Sequence, residues 1–185
     1  GRLTHVDTWQ NNGSGPRPEQ TSSHIHFANL TPDNRLVAVD LGTDEVITFD
    51  VTAEGQLTEK ARFKTDEGFG PRHIRFSQDG QYAYLLGELS SLLSVLKYNS
   101  EDGTFEHVMT ASTIPSEWTE HNGAAALRLS HDGRYIYASN RGHNSVAVFK
   151  VVNEGAEIER IQLISTEGAF PRDMNWDKDE AFLVV

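Results

Sequence analysis

Four segments of this chain repeat one pattern, and that repetition limits the fold more than any other property of the sequence. Each has a short apolar run followed by a Ser/Thr/Asp-x-Asp turn: Phe27 to Asn34, His73 to Gly80, Ala126 to Gly133 and Asp173 to Glu180. The turns start at residues 31, 77, 130 and 177, giving periods of 46, 53 and 47 and a mean near 49. Two more strand-like runs follow each complete turn, such as Tyr82 to Leu85 and Leu93 to Leu96, and a fourth follows a glycine: Leu57 to Phe63, Phe105 to Thr110 and Ile158 to Ile164. Enrichment in β-branched and aromatic residues, with Asp-Gly or Asn-bearing turns between the runs, predicts antiparallel hairpins. No stretch keeps a helical period, and the one long irregular insertion falls at about Ser112 to Asn122. Four strands recurring every ~40–50 residues is the pattern of a propeller blade, whose sheet buries its faces only against its neighbours. The expected fold is therefore all-β, a β-propeller of four-stranded antiparallel blades. Residues 1–22 are expected to end one blade, with Leu3 to Trp9 as its last strand; 23–70, 71–123 and 124–170 are whole blades, and 171–185 starts another. At 49 residues per blade the 185 residues hold just under four, so the chain reads as about half of a larger ring.

Charge narrows the partners. Sixteen Lys+Arg against 27 Asp+Glu give a net charge of −11, with no basic cluster of any length. That balance disfavours a nucleic-acid partner, which needs a dense cationic footprint. The longest apolar runs are far short of the ~20 residues of a membrane span, so no membrane partner is expected. With no cysteine there is neither a disulfide framework nor a thiolate metal site, and nothing at Gly1 to Gln10 has the form of a signal peptide. A cytoplasmic location fits, and no metal is expected.

The repeat also serves as an internal alignment, in which scaffold positions recur and site positions diverge. Five residues before each turn stand His26, Arg72, Ala125 and Arg172; eleven residues after the turn start stand Gly42, Glu88 and Arg141. Residues 72 and 88 are symmetric about Gly80 at the centre of their hairpin, so their side chains are expected to meet at its open end. Repeat symmetry puts His26, Arg141 and Arg172 on the same face of the ring, and strand alternation lets His24 point with His26. His73, beside Arg72, joins His26 and Arg172 in the candidate binding set. Imidazoles, one carboxylate and several guanidiniums converging in this way suit a small anionic ligand, because arginine offers a planar fork to carboxylate or phosphate.

The segments Ser23-His24-Ile25-His26, Thr31-Pro32-Asp33-Asn34-Arg35, Gly70-Pro71-Arg72-His73, Glu88-Leu89 and Asp132 to Arg141 resemble, in order, the lactonase family of seven-bladed propellers, which includes 6-phosphogluconolactonases and carboxymuconate cyclases. The resemblance runs over essentially the whole chain. It implies a cofactor-free enzyme with a His, an Arg, a Glu and a second Arg at the channel mouth; by motif these fall on His24 (or His26), Arg72, Glu88 and Arg141. The function it suggests is hydrolysis of a sugar lactone, foremost 6-phosphogluconolactone. Glu88 or His24 would activate water, one arginine would stabilise the oxyanion and the other would hold the phosphate. No Gly-x-Ser-x-Gly elbow or cysteine nucleophile is present. A carboxymuconate-type cyclase and a non-catalytic binding platform stand as alternatives on the same scaffold.

Overall fold

Each repeat turn is closed by its own side chains. Thr31 Oγ1 donates to Asp33 at 2.8 Å, Ser77 Oγ to Asp79 at 2.6 Å and Ser130 Oγ to Asp132 at 2.7 Å. The residue after each aspartate then takes a left-handed backbone, with φ of 67° at Asn34, 72° at Gly80 and 70° at Gly133. Asparagine and glycine are the residues that accept this conformation most readily, which is why the turn is legible as Asp-Asn or Asp-Gly.

The computed structural model describes all 185 residues. The turns set up three four-stranded antiparallel meanders. The first is β1 (Ile25–Leu30), β2 (Leu36–Asp40), β3 (Glu45–Val51) and β4 (Leu57–Lys64); the second is β5 (Pro71–Phe76), β6 (Tyr82–Gly87), β7 (Leu92–Asn99) and β8 (Thr104–Ser112). The third is β9 (Gly123–Leu129), β10 (Tyr135–Arg141), β11 (Ser145–Val152) and β12 (Glu157–Ser165), and β13 (Asn175–Trp176) pairs with β14 (Leu183–Val184) where a fourth blade opens. In each complete blade the strands lie in sequence order, and the innermost strands line up, β1 against β5 and β5 against β9.

Packing between blades explains the continuous apolar runs of the second and third strands. In β6, Ala83 and Leu85 face the first blade, where they join Val37, Val39 and Val46. Tyr84 and Leu86 face the third blade and meet Leu127, Ile136, Ala138 and Phe149. All four β6 side chains are fully buried, so both faces of the strand are core. The outermost strands β4, β8 and β12 are largely exposed.

One expected strand is absent. Residues 3–9 form no strand: Trp9 packs edge-on to Phe49 with ring centroids 4.8 Å apart, and Asp7 Oδ2 accepts the Leu57 N–H at 2.9 Å. The segment docks on the first blade through side chains rather than a backbone ladder, so its apolar residues mark contact points, not strand alternation.

Candidate active site

The innermost strands are irregular at one position, and it is the position that the repeat comparison singled out. The β1/β2 register slips between Ile25 and Phe27, and the β5/β6 register between Pro71 and His73. His26 and Arg72 are the extra residues of these β-bulges. In β9 the slip falls between Ala124 and Leu127 and spans Ala125, whose carbonyl is the partner described below. A bulge re-aims the side chain it carries. The ladder is thus irregular at this one position in three successive blades.

Beside this position, Glu88 is held by two arginines. Arg72 Nε donates to Glu88 Oε2 at 2.7 Å and Arg141 Nη2 donates to Oε1 at 2.5 Å. The cluster crosses the blade boundary, since Arg72 comes from the second blade and Arg141 from the third. Arg72 Nη1 also donates to the Ala125 carbonyl at 2.8 Å, and Arg141 Nε to the Gly123 carbonyl at 3.2 Å. Side-chain exposure is 3% for Arg72, 13% for Arg141 and 19% for Glu88, so this is not a solvated surface pair. Arg72 Nη2 and Arg141 Nη1 have no protein partner, and of the two arginines only Arg141 reaches the cleft wall. Burial, opposed by the Glu88 charge, lowers Arg72 to about 10, and the charges of Arg141 and Arg172 add to that lowering. Even so, Arg72 stays cationic at neutral pH.

The imidazoles separate into two places. His26 and His73 stand edge to face with ring centroids 5.5 Å apart, and His73 Nε2 lies 3.5 Å from Arg72 Nη1. His26 is exposed, yet partial desolvation of its ring, followed by the positive charge of Arg72, keeps it below its ordinary 6.5, while the Glu88 charge opposes the shift. His73 is pushed down to about 3 by burial and then by Arg72 and Arg75. Both are neutral at pH 7. His24 lies at the start of β1, exposed, with Nε2 3.4 Å from Ser22 Oγ and no hydrogen bond or ion pair to Arg72, Glu88 or Arg141. Arg172 is exposed and makes no ion pair, although its charge bears on both His26 and Arg72.

In the first blade the counterpart of Glu88 and Arg141 is Gly42, and no side chain fits there. A Cβ on Gly42 would lie 1.8 Å from the Ser22 carbonyl oxygen and 2.8 Å from the His24 nitrogen. The backbone leading to His24 and His26 therefore crosses where the other blades project charge. Gly42→Ala is expected to destabilise the protein by about 1–3 kcal/mol through overpacking, read as a lower midpoint of thermal unfolding.

Glu88 and Arg141 open onto a cleft of about 190 Å³ whose wall also includes Arg17, Glu19, His121 and Phe170. The repeat comparison did not reach these four. Arg17 and Glu19 precede the first blade, His121 belongs to the irregular segment between β8 and β9, and Phe170 to the loop after β12. Arg17, Glu19 and His121 have no counterpart in the inner strands, whereas Phe170 stands seven residues before its turn, level with His24, Gly70 and Gly123, a position the comparison did not weigh.

Successive four-stranded meanders with a largely buried Arg–Glu–Arg cluster beside the bulged inner strands define a β-propeller with a polar, charge-lined cleft. The chain belongs to the lactonase family of seven-bladed β-propellers, whose family model, described as "Lactonase, 7-bladed beta-propeller", matches residues 1–185. A 6-phosphogluconolactonase of Bacillus subtilis is 41% identical over 174 residues, covering 94% of this chain and 50% of that protein. The crystal structure of a Lactobacillus plantarum protein superposes with a TM-score of 0.96 at 55% identity, covering 99% of this chain and 53% of that one. A periplasmic gluconolactonase of Pseudomonas aeruginosa gives a TM-score of 0.87 at 32% identity, over 94% and 50% of the two chains. The chain spans about half the length of the curated relatives it matches. No helix is long and apolar enough to cross a membrane.

Proposed function

We propose that the complete protein hydrolyses a sugar lactone in the cytoplasm, 6-phosphogluconolactone to 6-phosphogluconate. The observation that carries this reading is Glu88 held between Arg72 and Arg141 beside a polar cleft, in a chain of the lactonase family. The names of the Bacillus and Pseudomonas relatives support lactone hydrolysis.

With both Glu88 oxygens engaged by guanidiniums, the carboxylate serves best to aim the two arginines, with Arg141 in the cleft wall facing the lactone carbonyl and Arg72 behind it. Attack of water on that carbon would leave a tetrahedral oxyanion, which these donors stabilise without reorganising. His26 is the better-placed base than His24: it is neutral, it occupies the bulge equivalent to that of Arg72, and the Arg72, Glu88 and Arg172 charges act on its ring. It accepts one proton of the attacking water and returns it to the ring oxygen as the C1–O bond breaks, giving the open-chain acid, whose remaining proton is released to solvent to leave the carboxylate. Because neutral imidazole is the active form and its proton affinity is reduced, the acid limb of kcat/KM is expected below pH 6.5. In His26→Gln that limb disappears. A pH–rate profile on 6-phosphogluconolactone checks both points, and an unchanged limb in the variant removes His26 as base. Turnover of a carboxymuconate with none of any sugar lactone would replace the reaction with a cyclisation.

A further inference from the structure

The cleft beside Glu88 contains a cation that no blade supplies, and the chain holds it there with some care. Arg17 precedes a short 3-10 helix, Pro18–Gln20, whose last residue is fully buried. The Gln20 side chain donates to the Leu41 carbonyl at 2.9 Å and to Asp44 Oδ1 at 2.7 Å, which anchors the segment to the first blade. Its Oε1 accepts the Arg17 N–H at 3.1 Å, and the Gln20 N–H closes back on the Arg17 carbonyl at 2.9 Å. The exposed Arg17 side chain then runs across Gly68, whose φ of +77° favours glycine and whose missing Cβ leaves room for Nε. Despite this positioning, Arg17 takes part in no ion pair. Glu19 shares the cleft wall without neutralising it, and Arg72 behind Glu88 leaves the whole site with a surplus of positive charge.

Arg72 and Arg141 are clamped to one carboxylate and so address one end of a ligand. We infer that Arg17 holds the other end, as the phosphate-binding residue that gives the site its preference for a phosphorylated lactone over the unphosphorylated sugar. This rests on the lactonase reading of the cleft, and the test separates the two. Guanidinium-to-phosphate contacts are charge-assisted and often bidentate, so loss of one is large enough to read in affinity.

The experiment uses the complete protein and isothermal titration with 6-phosphogluconate and gluconate, the two hydrolysis products, which makes it independent of turnover. The unaltered protein is expected to bind 6-phosphogluconate more tightly than gluconate. R17M keeps the stem over Gly68 and is expected to weaken 6-phosphogluconate about tenfold or more, with gluconate changed by less than about twofold. R17K, which restores a point charge, recovers part of the loss. Equal affinity of the unaltered protein for the two acids overturns the assignment, as does a parallel loss of both ligands in R17M. Phosphate selectivity that R17M removes, in a protein that hydrolyses neither lactone, supports Arg17 as the phosphate ligand and removes the lactonase reading instead.

Discussion

Glu88→Gln in the complete propeller is expected to lower kcat/KM for the lactone by about 10²–10³ and to destabilise the fold by about 3 kcal/mol. Both effects have one origin. Glu88 is the only carboxylate in ion-pair contact with Arg72 and with Arg141, and it joins side chains from two blades. An amide can accept from one guanidinium but presents its own N–H groups to the other. Arg72, 3% exposed, then keeps a buried charge whose remaining support is the Ala125 carbonyl and the more distant Asp173 charge. Removing one partner of a buried pair leaves an uncompensated charge, and that penalty exceeds what the pair contributes on balance. The arginines are expected to turn toward water, carrying the free Nη groups away from the developing oxyanion. Steady-state kinetics and thermal unfolding on the same preparation check the two halves. Arg134→Gln breaks the exposed Arg134–Asp132 pair and is expected to leave both readouts unchanged. A glutamine variant with wild-type rate and stability would show that the cluster is neither catalytic nor a blade-to-blade tie.

The sequence carried the fold wherever one physical rule acts in every blade. The Asp-Asn and Asp-Gly turns at residues 33–34, 79–80 and 132–133 recur because each needs a side-chain cap and a left-handed residue. Apolar runs such as Tyr82 to Leu86 recur because middle strands are buried on both faces. The Arg72–Glu88 contact was legible by a different route: hairpin symmetry fixed the partners, and divergence among repeats marked the position. That this position is a β-bulge was hidden, since a bulge is one extra residue in a ladder whose partners the sequence does not show. Leu3 to Trp9 misled because docking one aromatic side chain on Phe49 needs the same residue types as a strand. Arg17, His121 and Phe170 were missed for the opposite reason. Arg17 and His121 lie on irregular segments, where the path of the chain depends on single contacts such as buried Gln20, and Phe170 lies at a repeat position, seven residues before the turn, that the comparison did not weigh. The scaffold and the charge cluster follow from periodicity, whereas the far wall of the cleft follows from loops.

Stability is expected to fall as pH drops from 6.5 toward 5, with His73 as the main cause. In the folded protein the ring is pushed down to about 3, first by burial and then by Arg72, Arg75, His26 and Arg128, all of which disfavour the imidazolium. In the unfolded chain the same group takes a proton near 6.5. The unfolded state therefore binds the extra proton between these values, so the stabilisation is complete above 6.5 and is lost as pH falls. One proton costs about 1.4 kcal/mol per pH unit, or roughly 2 kcal/mol between pH 6.5 and 5 and roughly 4–5 kcal/mol by pH 3. Asp33, Asp40, Asp79 and Glu45 are held below their ordinary 3.8–4.5 by hydrogen bonds and cations and act in the same direction. Their contribution begins at lower pH, which reserves the interval above 5 for histidine, with His26 adding in the same sense. His73 also has a buried Nδ1 without a hydrogen-bond partner, while its Nε2 faces a guanidinium and so serves as the acceptor. The neutral ring thus carries its proton on the unpartnered nitrogen, a desolvation cost that a hydrocarbon side chain avoids. His73→Phe, placed against Phe27 at 5.1 Å and the His26 ring, is expected to flatten the stability profile between pH 5 and 6.5 without loss of stability at pH 7. Urea unfolding at several pH values measures both. A variant that keeps the wild-type slope would assign the acid sensitivity to another group and leave His73 as a packing residue alone.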